Sequence, residues 1–240
     1  MKVRVCSLMW GTAWERYGRR FAGSFADFWP AGVELVVVAD RDLPLRRGRT
    51  IRLQWFQGYQ EFLLRWGTDS AARGMKPPER AKRDANGYAW RFDAVKWMPQ
   101  ALAPVAALSG MQDGDIFVWF DADTETKKPV PAGWIEDLLA GTDVACLQRP
   151  GTHSEIGFYA MRLGPETRAV LRIFADLYIN DSVFKLREWH SAFAWDHALA
   201  TQPQLKVRNL NSTGAKGHVW PLSPLLADYT LHHKGKRKDQ

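Results

Sequence analysis

Cysteine is nearly absent: the 240 residues hold two, Cys6 and Cys146. They lie in separate strand-like apolar runs and share no metal-ligand spacing, which argues against a zinc module or a disulfide scaffold and for two buried free thiols. Long apolar runs are missing too. MKVRVCSLMW gives way at once to WGTAWERYGRR, so neither a secretory leader nor a membrane span is expected, and the reading is cytoplasmic. There is no G-x-x-x-x-G-K-[ST] loop, which disfavours a P-loop NTPase. No internal repeat and no linker divide the chain, so one domain spanning 1–240 is expected.

With 46% hydrophobic residues the chain can bury a sizeable core. Its formal net charge of +7 would attract nucleic acid, anionic lipid or phosphorylated ligands. The basic residues bunch at Arg46, Arg47, Arg49 and Arg52, then from Arg73 through Lys76, Arg80, Lys82 and Arg83, and finally in the KGKRK tail. Such bunches serve by default as solubilising loops. The 12 Trp residues are many for this length, and some are expected to line a ligand groove.

Periodicity predicts a strand over 2–8, a helix over 11–30, and a fully apolar strand, ELVVVAD, closing at Asp40. A helix-like aromatic stretch over 53–66 precedes a Gly-, Pro- and charge-rich loop or lid over 67–87. A helix resumes from Tyr88 to Leu108, broken near Pro99 and Pro104. Then come the strand of DIFVWFDAD, a helix at WIEDLLAG, and strands at TDVACLQR and IGFYAMRL. Residues 165–200 read as mostly helical with an interruption at 180–186, and pattern is lost after VRNLNST. Alternating strands and helices predict an α/β fold with a mostly parallel central sheet and flanking helices.

DIFVWFDADTETKKPVP, residues 115–131, is the most informative stretch. If the strand continues through it, Asp121 and Asp123 share a face, with small Ala122 between them. Paired carboxylates at a strand end suit a hard divalent cation whose shell is completed by phosphate oxygens, and ligands of open α/β sheets gather at that end. The competing reading is an Asp-rich turn capping its own amides.

These landmarks, ELVVVAD, RFDAVKW, FVWFDADT, EIGFYAM, EWHSAFAWDHAL and LHHKGKRK, together resemble the GT-A-fold glycosyltransferases in order along nearly the whole chain. The most specific match is the close, where His232, Gly235 and Lys238 reproduce the H-x-x-G-x-x-K that family-8-type enzymes place after their D-x-D. The resemblance implies a hexosyltransferase-like enzyme with a nucleotide-binding half over 1–125, an acceptor-side half over 126–228 and a donor-closing tail over 229–240. It implies a nucleotide-diphosphate sugar, UDP-linked by preference, and Mn²⁺ or Mg²⁺ held by Asp121, Asp123 and His232. Lys238, with Gly235 in its turn, would meet the diphosphate. Asp40 would contact the nucleoside, with Thr12 and Tyr17 beside it, and Arg91 and Lys96 would serve the donor site.

Glu155 and Asp196 are the carboxylates expected to act on the acceptor, with His190 near them. His197 stands where the family carries Gln, so the sequence assigns neither inversion nor retention. The acceptor can be a glycan, a lipid-linked glycan, a protein or a nucleic acid, with peripheral contact to an anionic surface as an option. Two other functions fit parts of the pattern. A nucleotidyltransferase or other phosphate-transfer enzyme would also use the acid pair, and a basic nucleic-acid-binding module would use the charge.

Overall fold

The structure, a computed structural model, describes residues 1–233. Runs of Val, Leu, Phe and Trp that are apolar on both faces become the inner strands of a sheet covered on both sides. Strand β1 (Val3–Met9) pairs in parallel with β2 (Val33–Ala39), and β2 in parallel with β3 (Arg49–Arg52). On its other side β1 pairs in parallel with β4 (Ile116–Phe120). Beyond β4 lie β7 (Glu155–Arg162), antiparallel to both neighbours, β6 (Val144–Leu147), and β8 (Val207–Asn209), which is parallel to β6. The order of the seven strands is β3-β2-β1-β4-β7-β6-β8.

Alternate side chains feed two cores. Cys6, Val36, Val38, Phe117 and Trp119 face α2 (Gln57–Trp66), α3 (Ala94–Ala107), α5 (Pro165–Ile179) and α6 (Ser191–Ala200). Val5, Leu35, Val37, Val118 and Phe120 face α1 (Arg19–Phe28) and α4 (Trp134–Leu139). Both thiols are free and fully buried, and burial raises each well above the ordinary thiol range.

Three departures from the sequence reading are informative. Helix α3 runs unbroken through Pro99 and Pro104. Each proline removes one amide donor from the ladder, but Asp93 caps the helix start by accepting from the Lys96 amide at 2.9 Å, and both prolines are buried in the packed interior. The basic stretch at 49–52 is strand β3, and its bunch is largely used internally. Arg46 pairs with Asp27, Arg49 with Glu34 at 3.1 Å and Arg52 with Asp42 at 3.2 Å, while Arg47 donates to the Trp29 and Val33 carbonyls. Thirdly, Thr230–His232 forms a strand, β9, antiparallel to β5 (Thr124–Thr126). Short α7 (Pro224–Ala227) leads into it.

Among the described residues no helix is long and apolar enough to cross a membrane. A buried charge is nonetheless built into β1. Arg4, 2% exposed, binds Glu34 at 2.7 Å and donates to the Ser109 carbonyl at 2.7 Å, just beyond the C-terminus of α3. A cation there complements the partial negative charge of the helix end.

Candidate functional site

Strand order reverses between β1 and β4, because the chain leaves β1 toward β2 and returns on the opposite side. A crevice opens at such a switch point, at the carboxyl ends of the strands. Here it is a cavity of about 830 Å³. Trp10 and Tyr59, edge to face at 5.5 Å, are among its lining residues, and so are Asp121 and Asp123.

Strand β4 stops at Phe120, and Asp121 to Asp123 form a turn closed by the Thr124 amide donating to the Asp121 carbonyl at 3.0 Å. The turn, in place of a continued pleat, brings the two carboxylates together. Asp121 is fixed from behind: Gln100 Nε2 of α3 and Trp119 Nε1 donate to its Oδ1 at 3.0 and 3.1 Å. Gln100 is itself oriented by Ser191 Oγ, which donates to its Oε1 at 2.7 Å. Pairing of β5 with β9 sets Thr124 opposite His232, and the His233 amide donates to the Asp123 carbonyl at 2.9 Å. His232 Nε2 then lies 3.1 Å from Asp123 Oδ1. Ligand atoms of Asp121, Asp123 and His232 all fall within 4.8 Å of one another.

This donor set, two carboxylates and one imidazole, fits Mn²⁺ and also Mg²⁺. The wall opposite is glycine. A Cβ on Gly157 would stand 3.0 Å from His232 Cε1 and 3.3 Å from Asp121 Oδ2, so only a bare backbone lets these side chains close up.

Behind His232 stands Glu155, 4% exposed. Its Oε1 lies 3.5 Å from His232 Nδ1 and 2.5 Å from His218 Nδ1, and its Oε2 accepts from the Val219 amide at 2.7 Å. A carboxylate beside the far nitrogen of a ligating histidine helps to orient it, and at 3.5 Å Glu155 acts on Nδ1 as an ion-pair neighbour. Burial by itself would depress His232, but its contacts with Asp123 and Glu155 and the nearby Asp121 prevail and push it up to about 9. In the metal-free protein His232 is therefore a cation among acids.

Across Asp121 the surroundings are basic. His190 N-caps α6, its Nε2 2.8 Å from Glu188 Oε2, while Arg91 holds the other oxygen of Glu188 at 3.0 Å. The His153 and His190 rings meet edge to face at 4.4 Å. Burial, each other's ring and Arg149 and Arg91 lower His153 to about 3. Burial lowers His190 to about 4 against the pull of Glu188. Asp196 lies behind this region, accepting from the Ser154 amide at 2.8 Å and from Ser154 Oγ at 2.6 Å. Burial raises its carboxyl despite both bonds.

The remaining expected residues are scattered. Lys96 lines the large cavity, its Nζ over the Trp97 ring at 4.9 Å, and Tyr17 lines it too. Asp40 clamps the turn after β1, accepting from the Gly11 amide at 2.9 Å. Exposed Thr12 begins the following helical turn, its carbonyl accepting from the Arg16 amide at 3.1 Å. Arg91 is engaged with Glu188 on the basic side. Gly235 and Lys238 lie outside the described residues. Gln100, Ser191, Glu188 and His218 were not anticipated. Of these only Gln100 had a sequence signal, since it shares a helix face with Lys96 at i, i+4.

No protein-family profile matches the chain, and no curated protein does. Solved structures do. A glycosyltransferase involved in the glycosylation of the major capsid of PBCV-1 aligns over 100% of this chain and 98% of its own, with a TM-score of 0.54 at 10% identity. The chain has a glycosyltransferase fold. Mouse xyloside xylosyltransferase 1, in its apo form, covers 88% of this chain and 86% of its own with a TM-score of 0.49 at 8% identity. At such identities the likeness concerns the fold, so chemistry has to be argued from the side chains.

Proposed function

We propose that this chain is a metal-dependent glycosyltransferase, hexosyltransferase-like, that moves a sugar from a nucleotide-diphosphate sugar to an acceptor hydroxyl. One observation carries the reading. Two acids from the middle of the chain and an imidazole from near its end converge at the switch point of a glycosyltransferase fold, beside a cavity large enough for a nucleotide sugar. Pockets for ligands of that size run to roughly 300–1,000 Å³.

In the reaction the acceptor oxygen bonds to the anomeric carbon as the bond from that carbon to the phosphate oxygen breaks. The nucleoside diphosphate leaves with the electron pair, and the hydroxyl proton passes to a base. A cation held by Asp121, Asp123 and His232 would supply Lewis-acid stabilisation of the leaving diphosphate. The exposed Trp10 indole, braced edge to face by buried Tyr59, offers a face for the nucleobase, and Lys96 adds a positive charge inside the same cavity. Gln100 and Trp119 keep Asp121 aimed, and Glu155 does the same for His232. Glu155 is thus better suited to orienting His232 than to taking the acceptor proton, and Asp196 to holding Ser154.

Calorimetry of UDP binding with Mn²⁺ and with EDTA tests this. Binding that requires Mn²⁺ and is lost in Asp123→Ala is expected. Equal UDP affinity in wild type and Asp123→Ala, with and without metal, would overturn the proposal.

A further inference from the structure

A second, smaller cavity of about 170 Å³ opens on the other side of Asp121. It shares Trp97, Gln100 and Asp121 with the large cavity, so the two meet at the acid turn. A transferase needs two substrates whose reacting atoms come together, and the large cavity accounts for one. The small one has room for a single ring-sized unit and none for a nucleotide.

Its lining is aromatic on one side and polar on the other. Trp90, 40% exposed, packs edge to face with Trp97 at 5.9 Å and lies 5.1 Å from the His190 ring. Trp97 Nε1 donates to the Trp90 carbonyl at 2.7 Å, and the Trp189 amide donates to the Arg91 carbonyl at 2.8 Å. These two bonds strap the end of the long 67–93 loop to the site, so the exposed indole is held in place. Facing it are His153, Ser154 and Arg149, whose guanidinium donates to the His153 carbonyl at 2.8 Å and the Gly217 carbonyl at 3.1 Å. His190 spends both ring nitrogens within the protein, Nε2 on Glu188 and Nδ1 on the Phe193 amide, so His153, lowered to about 3 and uncharged at neutral pH, is the imidazole that can meet a ligand without a charge to desolvate.

We propose that this cavity binds a saccharide unit of the acceptor, with Trp90 as its stacking platform and Arg149, His153 and Ser154 as its polar fence. A sugar ring matches both walls: its C–H face lies against an indole, and its rim of hydroxyls both donates and accepts hydrogen bonds. The inference deepens the transferase reading and rests on it.

The test applies wild type, Trp90→Ala and Trp90→Phe, each with UDP and Mn²⁺, to an immobilised panel of neutral and acidic oligosaccharides, with calorimetry of UDP and Mn²⁺ in parallel. Wild type should retain a subset of the panel. Trp90→Ala should lose about tenfold in that retention, and Trp90→Phe, which keeps an aromatic face, should retain most of it. UDP affinity should stay within about twofold in all three, because the backbone carbonyl that orients Trp97 is untouched. Metal-dependent UDP binding with no saccharide retained, or with retention indifferent to Trp90→Ala, overturns the acceptor subsite alone. Absence of UDP binding from wild type overturns the transferase reading instead, whatever the panel shows.

Discussion

Three histidines surround one turn of acids, and the fold gives them opposite character. His232 is enclosed by Asp123, Glu155 and Asp121 and carries a proton in the metal-free state; His153 and His190 share their pocket with Arg149 and Arg91 and stay neutral. All three are at least partly buried, so depth alone does not separate them. What differs is the balance between burial and charge: contacts with Asp123 and Glu155 and the nearby Asp121 outweigh burial at His232, whereas burial prevails at His190, where Arg91 and Arg149 oppose Glu188, and at His153, where the nearby charge is mostly positive. The acid turn is prepared for a cation, and the side with His153 for a polar, uncharged ligand.

The contrast is broken most completely by removing an acid that would touch the metal. Asp123→Ala should weaken Mn²⁺-dependent UDP binding by more than about 100-fold, since loss of supporting residues alone typically costs ~10–100-fold. Titrating Mn²⁺ by calorimetry in the presence of UDP would measure it. Next in size is Glu155. Glu155→Ala should lower Mn²⁺ affinity about 10- to 100-fold, and Glu155→Gln, which keeps an oxygen toward His232, should lose less. If both leave metal affinity unchanged, Glu155 does not position the imidazole.

The third prediction uses pH, with EDTA present. His190 sits at about 4 in the folded chain against an ordinary 6.5, so between these values the unfolded chain takes up a proton that the native state refuses. Its contribution to stability is whole above 6.5 and is lost as pH falls toward 4. His232 behaves oppositely. Raised from 6.5 to about 9, its contribution is whole below 6.5 and is lost as pH climbs through 9. Thermal melts should therefore peak near neutrality, and His190→Asn should make the acid limb shallower, the remainder belonging to His153, while leaving the alkaline one. A Tm that rises steadily from pH 5 to 9 would contradict the opposed environments. The smallest effect is expected at Arg91. Its pair with Glu188 is 40% exposed on the Arg91 side, so Arg91→Lys should cost less than about 1 kcal/mol by chemical denaturation.

Much of the frame was legible in the sequence, because β1, β2 and β4 are apolar runs of a length and residue type that leave little choice. The acid pair and His232 stood out for their chemistry. The means of bringing them together did not. The alternation of buried Thr230, exposed Leu231 and buried His232 is only three residues long, too short to distinguish a strand from a basic tail, and its partner β5 is equally brief. Arg91 reads as a donor-site residue in the sequence because its acid, Glu188, lies about a hundred residues away, and no local pattern announces a pair of that span. For the same reason Glu155 looked acceptor-facing; His218, which binds it, belongs to a loop without periodicity. The prolines of α3 misled because propensity describes an isolated helix, and burial overrode it.

The tiny β5–β9 ladder also ties together two distant parts of the chain. About a hundred residues separate Asp123 from His232, and closing so long a loop costs little more than closing a shorter one, since the entropy rises only with the logarithm of length. A cation that binds the assembled site and not the unfolded chain would stabilise the whole fold by mass action, acting as a rivet through plates already aligned.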